Sequence, residues 1–233
     1  MLLRKERIPE LLGVLATLLL LALTGANLFA YASTGRATFH HLALTALIPG
    51  LMLLLLLALL GKILGWRRLT SAWVSGLWVG VLATAGLELV RVIGFRVFAA
   101  MPGSMPMLMG VQITGRVMVG PDLFSNLVGW ADHFWNGVNF GVLYFLLFGK
   151  RSAWGPVLYA LLIGTGFLLS PVVLVIGAGY FGDQFGLKFA VTVYLAHLLF
   201  GLLIAWLQKY SSAPCEWLGG WVWSRLAKRS QIA

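Results

Sequence analysis

Several ionisable and amide side chains of this sequence lie inside apolar runs, where burial is costly and where such groups bind ions or move protons. The stretch ADHFWNGVNFG holds four of them: Asp132, His133, Asn136 and Asn139. Glu88 and His197 lie in comparable apolar surroundings. Imidazole and carboxylate groups together either ligate a transition metal or relay protons. This chemistry requires that elements far apart in the chain bring the side chains together.

Three of these groups belong to rows of small residues spaced four apart. The rows are Gly76, Gly80, Thr84 and Glu88; His133, Gly137 and Gly141; and His197, Gly201 and Ala205. Residues four apart share a helix face, and small residues let helix backbones approach closely in lipid. The pattern predicts that Glu88, His133 and His197 meet at one depth in a helix bundle.

We expect Glu88, His133 and His197 to form the primary set of a buried site. The set suits Cu, Zn or Fe, and it also suits a proton relay that needs no metal. Haem fits less well, because glycines one turn from each histidine favour close helix contact. The residues expected to orient the histidines or extend a relay are Asp132, Asn136, Asn139, His40, His41 and Arg91. The simpler alternative is a cross-helix hydrogen bond, with Glu88 and Arg91 as a local ion pair.

A methionine-rich segment, MPGSMPMLMG, follows the third apolar run. Its thioethers, at Met101, Met105, Met107 and Met109, are soft ligands that select Cu(I), although methionines also fill irregular apolar surfaces. The alternation in the next segment, VQITGRVMVG, indicates a short hairpin around Gly115 and Arg116. We expect this connection to gate the site or to contact a partner.

The composition indicates a membrane protein. Of 233 residues, 60% are hydrophobic and 10% are charged, against about 25% charged in a soluble domain. Six stretches are long enough to cross a bilayer, which takes about 20 residues: 11–31, 41–61, 72–96, 123–147, 156–178 and 188–208. The predicted fold is all-α, a polytopic transmembrane helix bundle over 1–208 with a tail at 209–233. Ser170-Pro171 predicts a kink in the fifth span.

The basic residues predict the orientation. Twelve Lys and Arg residues fall on one side of the six spans and five on the other. By the positive-inside rule, both termini are cytoplasmic. The net charge of +10 is therefore assigned to topology and anionic lipid rather than to nucleic acid. In the tail, Trp221, Trp223 and Arg225 favour an amphipathic helix at the inner headgroup layer, or a plain terminal anchor.

The second half of the chain resembles YagU-like bacterial inner-membrane proteins. The shared features are a helix from His133 that ends in tyrosine (HFWNGVNFGVLYFLLFGK), a basic turn with Trp-Gly (KRSAWG), an internal Ser-Pro (LLSPVV) and a last helix with His197 (YLAHLLFGLLIAWL). The resemblance implies residence in the bacterial inner membrane, with His133 and His197 as shared positions.

Two functions remain open at this level. The first is an outward-opening site that handles a metal ion or protons in transport or sensing. The second is an accessory subunit or scaffold, in which the small-residue rows pack against other membrane subunits or a second copy of the chain. No P-loop, His-Glu-x-x-His or nucleophile-elbow pattern indicates an enzyme. Convergence of His133 and His197 favours a site, whereas rows that face lipid favour a partner.

Overall fold

The computed structural model describes residues 7–230, with side chains described from 8 to 224. That part is helical. Its helices are α1 (Arg7–Thr24), α2 (Ala26–Ala32), α3 (Phe39–Leu42), α4 (Ile48–Ile63), α5 (Arg67–Arg96), α6 (Met105–Ile113), α7 (Leu123–Leu147), α8 (Trp154–Leu168), α9 (Pro171–Val175), α10 (Leu187–Leu207) and α11 (Leu218–Ser230). A π-helical segment, Ala43–Leu47, joins α3 to α4, and 3-10 turns occupy Tyr180–Phe185 and Gln208–Tyr210.

The hairpin predicted around Gly115 and Arg116 is wrong, since residues 7–230 contain no strand. The segment that precedes it forms α6 instead. Pro106 lies in the first turn of this helix, where a missing N–H costs nothing. Arg116 lies in a turn and donates from Nε to the carbonyl of Gly120, while its Nη1 lies 3.3 Å from the Asp122 carboxylate.

Several described helices have the length and hydropathy of membrane spans. Three qualify singly, over Phe39–Ile63, Arg67–Arg96 and Leu187–Tyr210, and a fourth qualifies if the bent pair α1 and α2 counts as one span. The first of these exposes many leucines, as a lipid-facing helix does. The remaining predicted stretches lie in α7, which carries the polar cluster, and in the short pair α8 and α9.

Helix α5 occupies the centre of the bundle, and its glycine row packs directly on α7. Added Cβ atoms would reach the backbone of the opposite helix at both glycines: Gly76 faces Val142, and Gly80 faces Gly137. The row that begins at His197 packs on a different helix, since Gly201 of α10 lies against Val157 of α8. The predicted close approach of the small-residue rows is therefore confirmed, and it occurs within this chain.

We expect Gly80→Ala to destabilise the protein by about 1–3 kcal/mol, the usual cost of overpacking. A Cβ at position 80 would lie 2.6 Å from the carbonyl oxygen of Gly137 and 2.7 Å from Cα of Val138, so the two helix backbones must separate. Gly166→Ala in α8 is the matched control, since its Cβ would meet nothing within 4 Å. The test is the unfolding midpoint of both variants in the same detergent; equal midpoints would contradict the close-packing argument.

The first apolar run is broken at Gly25, where α1 and α2 meet at a 40° bend. The break removes helical partners from carbonyl groups of α1, and side chains replace them. Trp135 Nε1 donates to the Thr24 carbonyl at 2.7 Å, and Asn139 Nδ2 donates to the Leu21 carbonyl at 2.7 Å. A broken helix is tolerated in lipid only when such groups find partners. Helix α7 therefore supports the break.

Local sequence explains two helix boundaries in the described bundle. Helix α7 begins after Asp122, whose carboxylate accepts the Ser125 N–H at 2.7 Å, while the Ser125 hydroxyl accepts the Asp122 N–H. The hydrogen bond from the Ser125 backbone, reinforced by nearby Arg116, holds the pKa of Asp122 below its ordinary value. Pro171 begins α9 after α8 has ended at Leu168, which confirms a break at Ser170-Pro171.

A second polar cluster joins α1, α5, α7 and the tail at the other end of α5. The backbone N–H of Arg68 donates to the Glu10 carboxylate at 2.8 Å, and Arg68 Nη2 donates to the Leu146 carbonyl at 2.6 Å. The guanidinium carbon lies 5.2 Å from the Trp221 ring centroid, a cation–π contact that attaches α11 to the bundle. Arg225, Lys228 and Arg229, on which the interfacial interpretation of the tail depends, lie outside the described side chains, as do Arg4, Lys5 and Arg7.

Candidate functional site

Glu88 is the centre of the intramembrane polar cluster. Its Oε1 accepts a hydrogen bond from Arg91 Nη1, one turn further along α5, and lies 2.8 Å from Nε2 of His133 on α7. The Glu88 and Arg91 side chains are each only 10% exposed. The close helix contact at Gly80 and Gly137 lies next to this group and holds the two helices at this distance. One carboxylate oxygen thus contacts both a permanent cation and a titratable imidazole.

His197 faces the same region from α10. Its Nδ1 lies 2.8 Å from the Val193 carbonyl, one turn earlier on its own helix. The ring packs against Gly164 of α8, where a Cβ would lie 2.9 Å from Cγ of the imidazole. His133 and His197 line one cavity. The two histidines that the sequence pattern places at one depth thus border the same space.

The residues predicted to orient the histidines or extend a relay have different contacts in the structure. Asn136 lines the cavity and donates from Nδ2 to the buried Asp132 carboxylate at 3.3 Å. Arg91 lines the cavity and holds Glu88. Asn139 instead donates to the Leu21 carbonyl at the helix break, so it acts in the fold and not on the histidines.

The structure does not bring to the cavity His40 and His41, which were expected to orient the histidines or extend a relay. Both side chains are exposed, and neither lines the cavity. His40 Nδ1 lies 2.7 Å from the Ile113 carbonyl, so this histidine attaches α3 to the end of α6. The sequence placed both residues near the outer end of a span, but their contacts depend on how α6 folds back over α3.

The methionines of the predicted soft-metal segment take part in apolar packing. Met101, Met105 and Met109 are buried in apolar clusters with leucine, valine and phenylalanine side chains, while Met107 is 38% exposed. Met105 and Met109 are one turn apart on α6 and both line the cavity wall. Because α6 is a packed helix, these thioethers fill space in the core.

The described residues contain no group of three or more His, Cys, Asp or Glu side chains arranged to hold a metal ion. Glu88 contacts His133, and His197 lines the same cavity as His133. The three described side chains nevertheless do not form a ligand set. Arg91 also disfavours a cation here, because its guanidinium neutralises the Glu88 carboxylate and its positive charge opposes a cation at the same oxygen.

The cavity has a volume of about 330 Å³. Seven helices contribute to its wall, and the lining is mainly apolar. Its polar lining residues are Asn27, Thr84, Arg91, His133, Asn136, Ser170 and His197, and its aromatic ones are Phe29, Phe140, Phe167 and Phe200. Glu88 is not among the lining residues, since it contacts Arg91 and His133 from behind them.

Sequence reasoning missed most of the wall. Phe29, Phe167 and Ser170 come from the two broken helices, α1–α2 and α8–α9, which place short segments beside the cavity. One available signal was the spacing of Met105 and Met109, which is helical. Another was the polar break at Gly25 and Asn27 inside an apolar run.

Fold and site together define a class: a helical protein with several helices long and apolar enough to span a membrane, and a polar cluster beside an internal cavity. No family model, curated protein or solved structure matches the chain. The resemblance of its second half to YagU-like proteins stays a prediction.

Proposed function

We propose that this protein is a multi-pass membrane protein that takes up and passes protons through Glu88 and His133 beside an internal cavity, in transport or sensing. The observation that carries the proposal is the shared Oε1 of Glu88, contacted by Arg91 and by His133 at 2.8 Å. Histidine is the side chain that ordinarily gains and loses a proton near neutral pH. Buried ionisable groups within membrane spans mark proton and ion pathways.

The arrangement favours protons over a metal ion. With His133 neutral, the Glu88 and Arg91 charges cancel, and a proton on His133 adds one positive charge next to the carboxylate that stabilises it. His197 in the same cavity is a second proton acceptor. Asp132 is linked to the cavity by the hydrogen bond that its carboxylate accepts from Asn136, a lining residue. A divalent cation bound to Glu88 would share the carboxylate with the Arg91 guanidinium, whose positive charge opposes it.

The proposal includes six membrane crossings, with both termini cytoplasmic, in the bacterial inner membrane. The six apolar stretches are mostly helical, two of them as broken helices, and the basic residues Arg68, Lys150 and Arg151 lie at the opposite end of the bundle from Glu88. On this topology the cavity belongs to the outer half, and α11 lies at the inner headgroup layer. The glycine rows are used inside the chain, so they give the scaffold alternative no support.

The test is proton flux into liposomes that contain the purified protein and a pH-sensitive dye, driven by a potassium diffusion potential. We expect the intact protein to acidify the interior and His133→Gln to slow this by about two orders of magnitude, as loss of a proton-transferring side chain does. His41→Gln is the matched control, because His41 is exposed and outside the cavity.

Equal flux in the intact protein, in His133→Gln and in protein-free vesicles would refute proton passage. Elemental analysis and an absorption spectrum of the same preparation address the metal and haem alternatives. Near-stoichiometric metal that disappears in His133→Ala/His197→Ala protein would replace the proton proposal with a metal site.

A further inference from the structure

The formal charge in the lining of the cavity beside the Glu88 cluster is positive. Its lining contains the Arg91 guanidinium and two histidines, and the lining residues include no carboxylate. Glu88 neutralises Arg91 from outside the cavity wall, so the only formal charge that a ligand touches is positive. An organic cation is therefore disfavoured, in spite of the aromatic side chains that surround the space.

Arg91 has hydrogen-bonding capacity left for a ligand. A guanidinium carries five N–H donors in a planar fork that matches a carboxylate. The hydrogen bond that Arg91 gives in the described structure runs from Nη1 to Glu88. Asn136, in the same lining, has a buried Oδ1 with no hydrogen-bond partner among the described residues. Arg91 therefore has donors left for an anionic group, whereas the Asn136 oxygen, an acceptor, can bind only a donor.

The other walls are apolar. Phe29 from α2, Phe140 from α7, Phe167 from α8 and Phe200 from α10 combine with Met105 and Met109 from α6. The volume, about 330 Å³, lies at the small end of the range for ligand pockets. The space therefore matches a small molecule with an apolar body and one polar end.

The mouth of the cavity lies between α2 and α8. Among its lining residues, only Asn27 of α2 and Gly166 of α8 are exposed. A Cβ built on Gly166 meets nothing within 4 Å, which shows open space at this point of the wall. The opening is thus on the side of the bundle between two apolar helices, a route that suits an amphipathic molecule dissolved in the membrane.

We infer that the cavity binds a small amphipathic organic acid, with its carboxylate on Arg91 and its apolar body among the phenylalanine and methionine side chains. This inference deepens the proposed function by naming a ligand class, and it rests on that function for any coupling of binding to protons. Short fatty acids from the membrane and aromatic acids from water share this chemistry.

Binding is tested on the full chain in mild detergent by fluorine NMR with 4-(trifluoromethyl)benzoate, at one pH and without a gradient. We expect saturable binding, and at least about tenfold weaker binding of 4-(trifluoromethyl)benzyl alcohol, which lacks the charge. Octanoate and unlabelled benzoate then compete with the fluorinated probe. If octanoate displaces the probe at the lower concentration, the ligand is a fatty acid from the membrane; if benzoate does, it is an aromatic acid from water.

Two variants locate the binding. Gly166→Phe fills the mouth and should weaken binding at least about tenfold, while Gly103→Phe, whose Cβ also meets open space but lies outside the cavity, should not. Glu88→Gln/Arg91→Gln removes the cation together with its carboxylate, so no buried charge is left unpaired, and it should abolish the preference for acid over alcohol.

Equal binding of acid and alcohol, no binding of either acid, or unchanged binding in Gly166→Phe would each overturn the inference. The outcome is independent of the flux assay. Flux without acid binding refutes the ligand class and leaves proton passage standing. Acid binding without flux refutes proton passage and leaves the ligand class standing.

Discussion

Replacing Arg91 with glutamine is expected to destabilise the protein by about 3–5 kcal/mol, the usual cost of removing one partner of a buried ion pair. Arg91 and Glu88 are one turn apart on α5, and both side chains are 90% buried. Without the guanidinium, the Glu88 carboxylate retains, among the described residues, only the His133 contact at 2.8 Å. The penalty arises from a buried charge that has lost its permanent partner.

The double variant Glu88→Gln/Arg91→Gln should recover most of this loss, because it removes both charges and leaves polar groups of similar size. Arg96→Gln is the matched control on the same helix: Arg96 is exposed, lies over the Phe95 ring and should change stability by less than about 1 kcal/mol. Unfolding with SDS in mixed micelles, followed by tryptophan fluorescence, measures all three. A double variant as unstable as Arg91→Gln would show that the loss comes from packing.

The second large effect concerns the helix break at Gly25. We expect Asn139→Ala and Trp135→Phe each to destabilise the protein by about 1–3 kcal/mol, because each leaves one buried carbonyl without a partner. The carbonyls are those of Leu21 and Thr24, and both donor distances are 2.7 Å. The combined variant should lose both contributions and allow α1 and α2 to separate from α7.

Matched controls exist on the same helix. Asn126→Ala and Trp130→Phe repeat the two substitutions at residues whose side chains show no hydrogen bond in the described part of the chain, and we expect changes within about 0.5 kcal/mol. Hydrogen exchange of the amides of α2 gives a second measurement, since loss of the supports should speed exchange there. Protection of α2 equal to that of the intact protein in the combined variant would contradict a supporting role for α7.

Some features of the site follow from periodicity and are visible in the sequence. The glycine rows of α5 and α7 could be predicted because spacing four on a helix determines which residues share a face. Glu88 and His133 stand at the ends of those rows, so packing Gly80 on Gly137 carries the two ionisable groups to one level. The break at Ser170-Pro171 was equally predictable, because proline lacks the N–H that a continuing helix requires.

Other features depend on contacts between distant parts of the chain. The segment that contains Met105 and Met109 has the composition of a soft-metal site, but α6 packs both side chains into the wall of a cavity. His40 contacts the Ile113 carbonyl, 73 positions away, and Asn139 contacts that of Leu21, 118 positions away. Neither pairing leaves a periodic signal, since a single hydrogen bond constrains only one residue on each side.

The sequence by itself determined the class of protein, its helical character and the pairing of Glu88 with His133. These depend on apolar length and on helical repeat, which are local properties of the chain. The tertiary structure decided that Arg91 neutralises Glu88 where a metal ligand set was predicted, and that two broken helices enclose a cavity of about 330 Å³. Both outcomes depend on side-chain direction and on the way separate helices close around a space, and those are properties of the packed bundle.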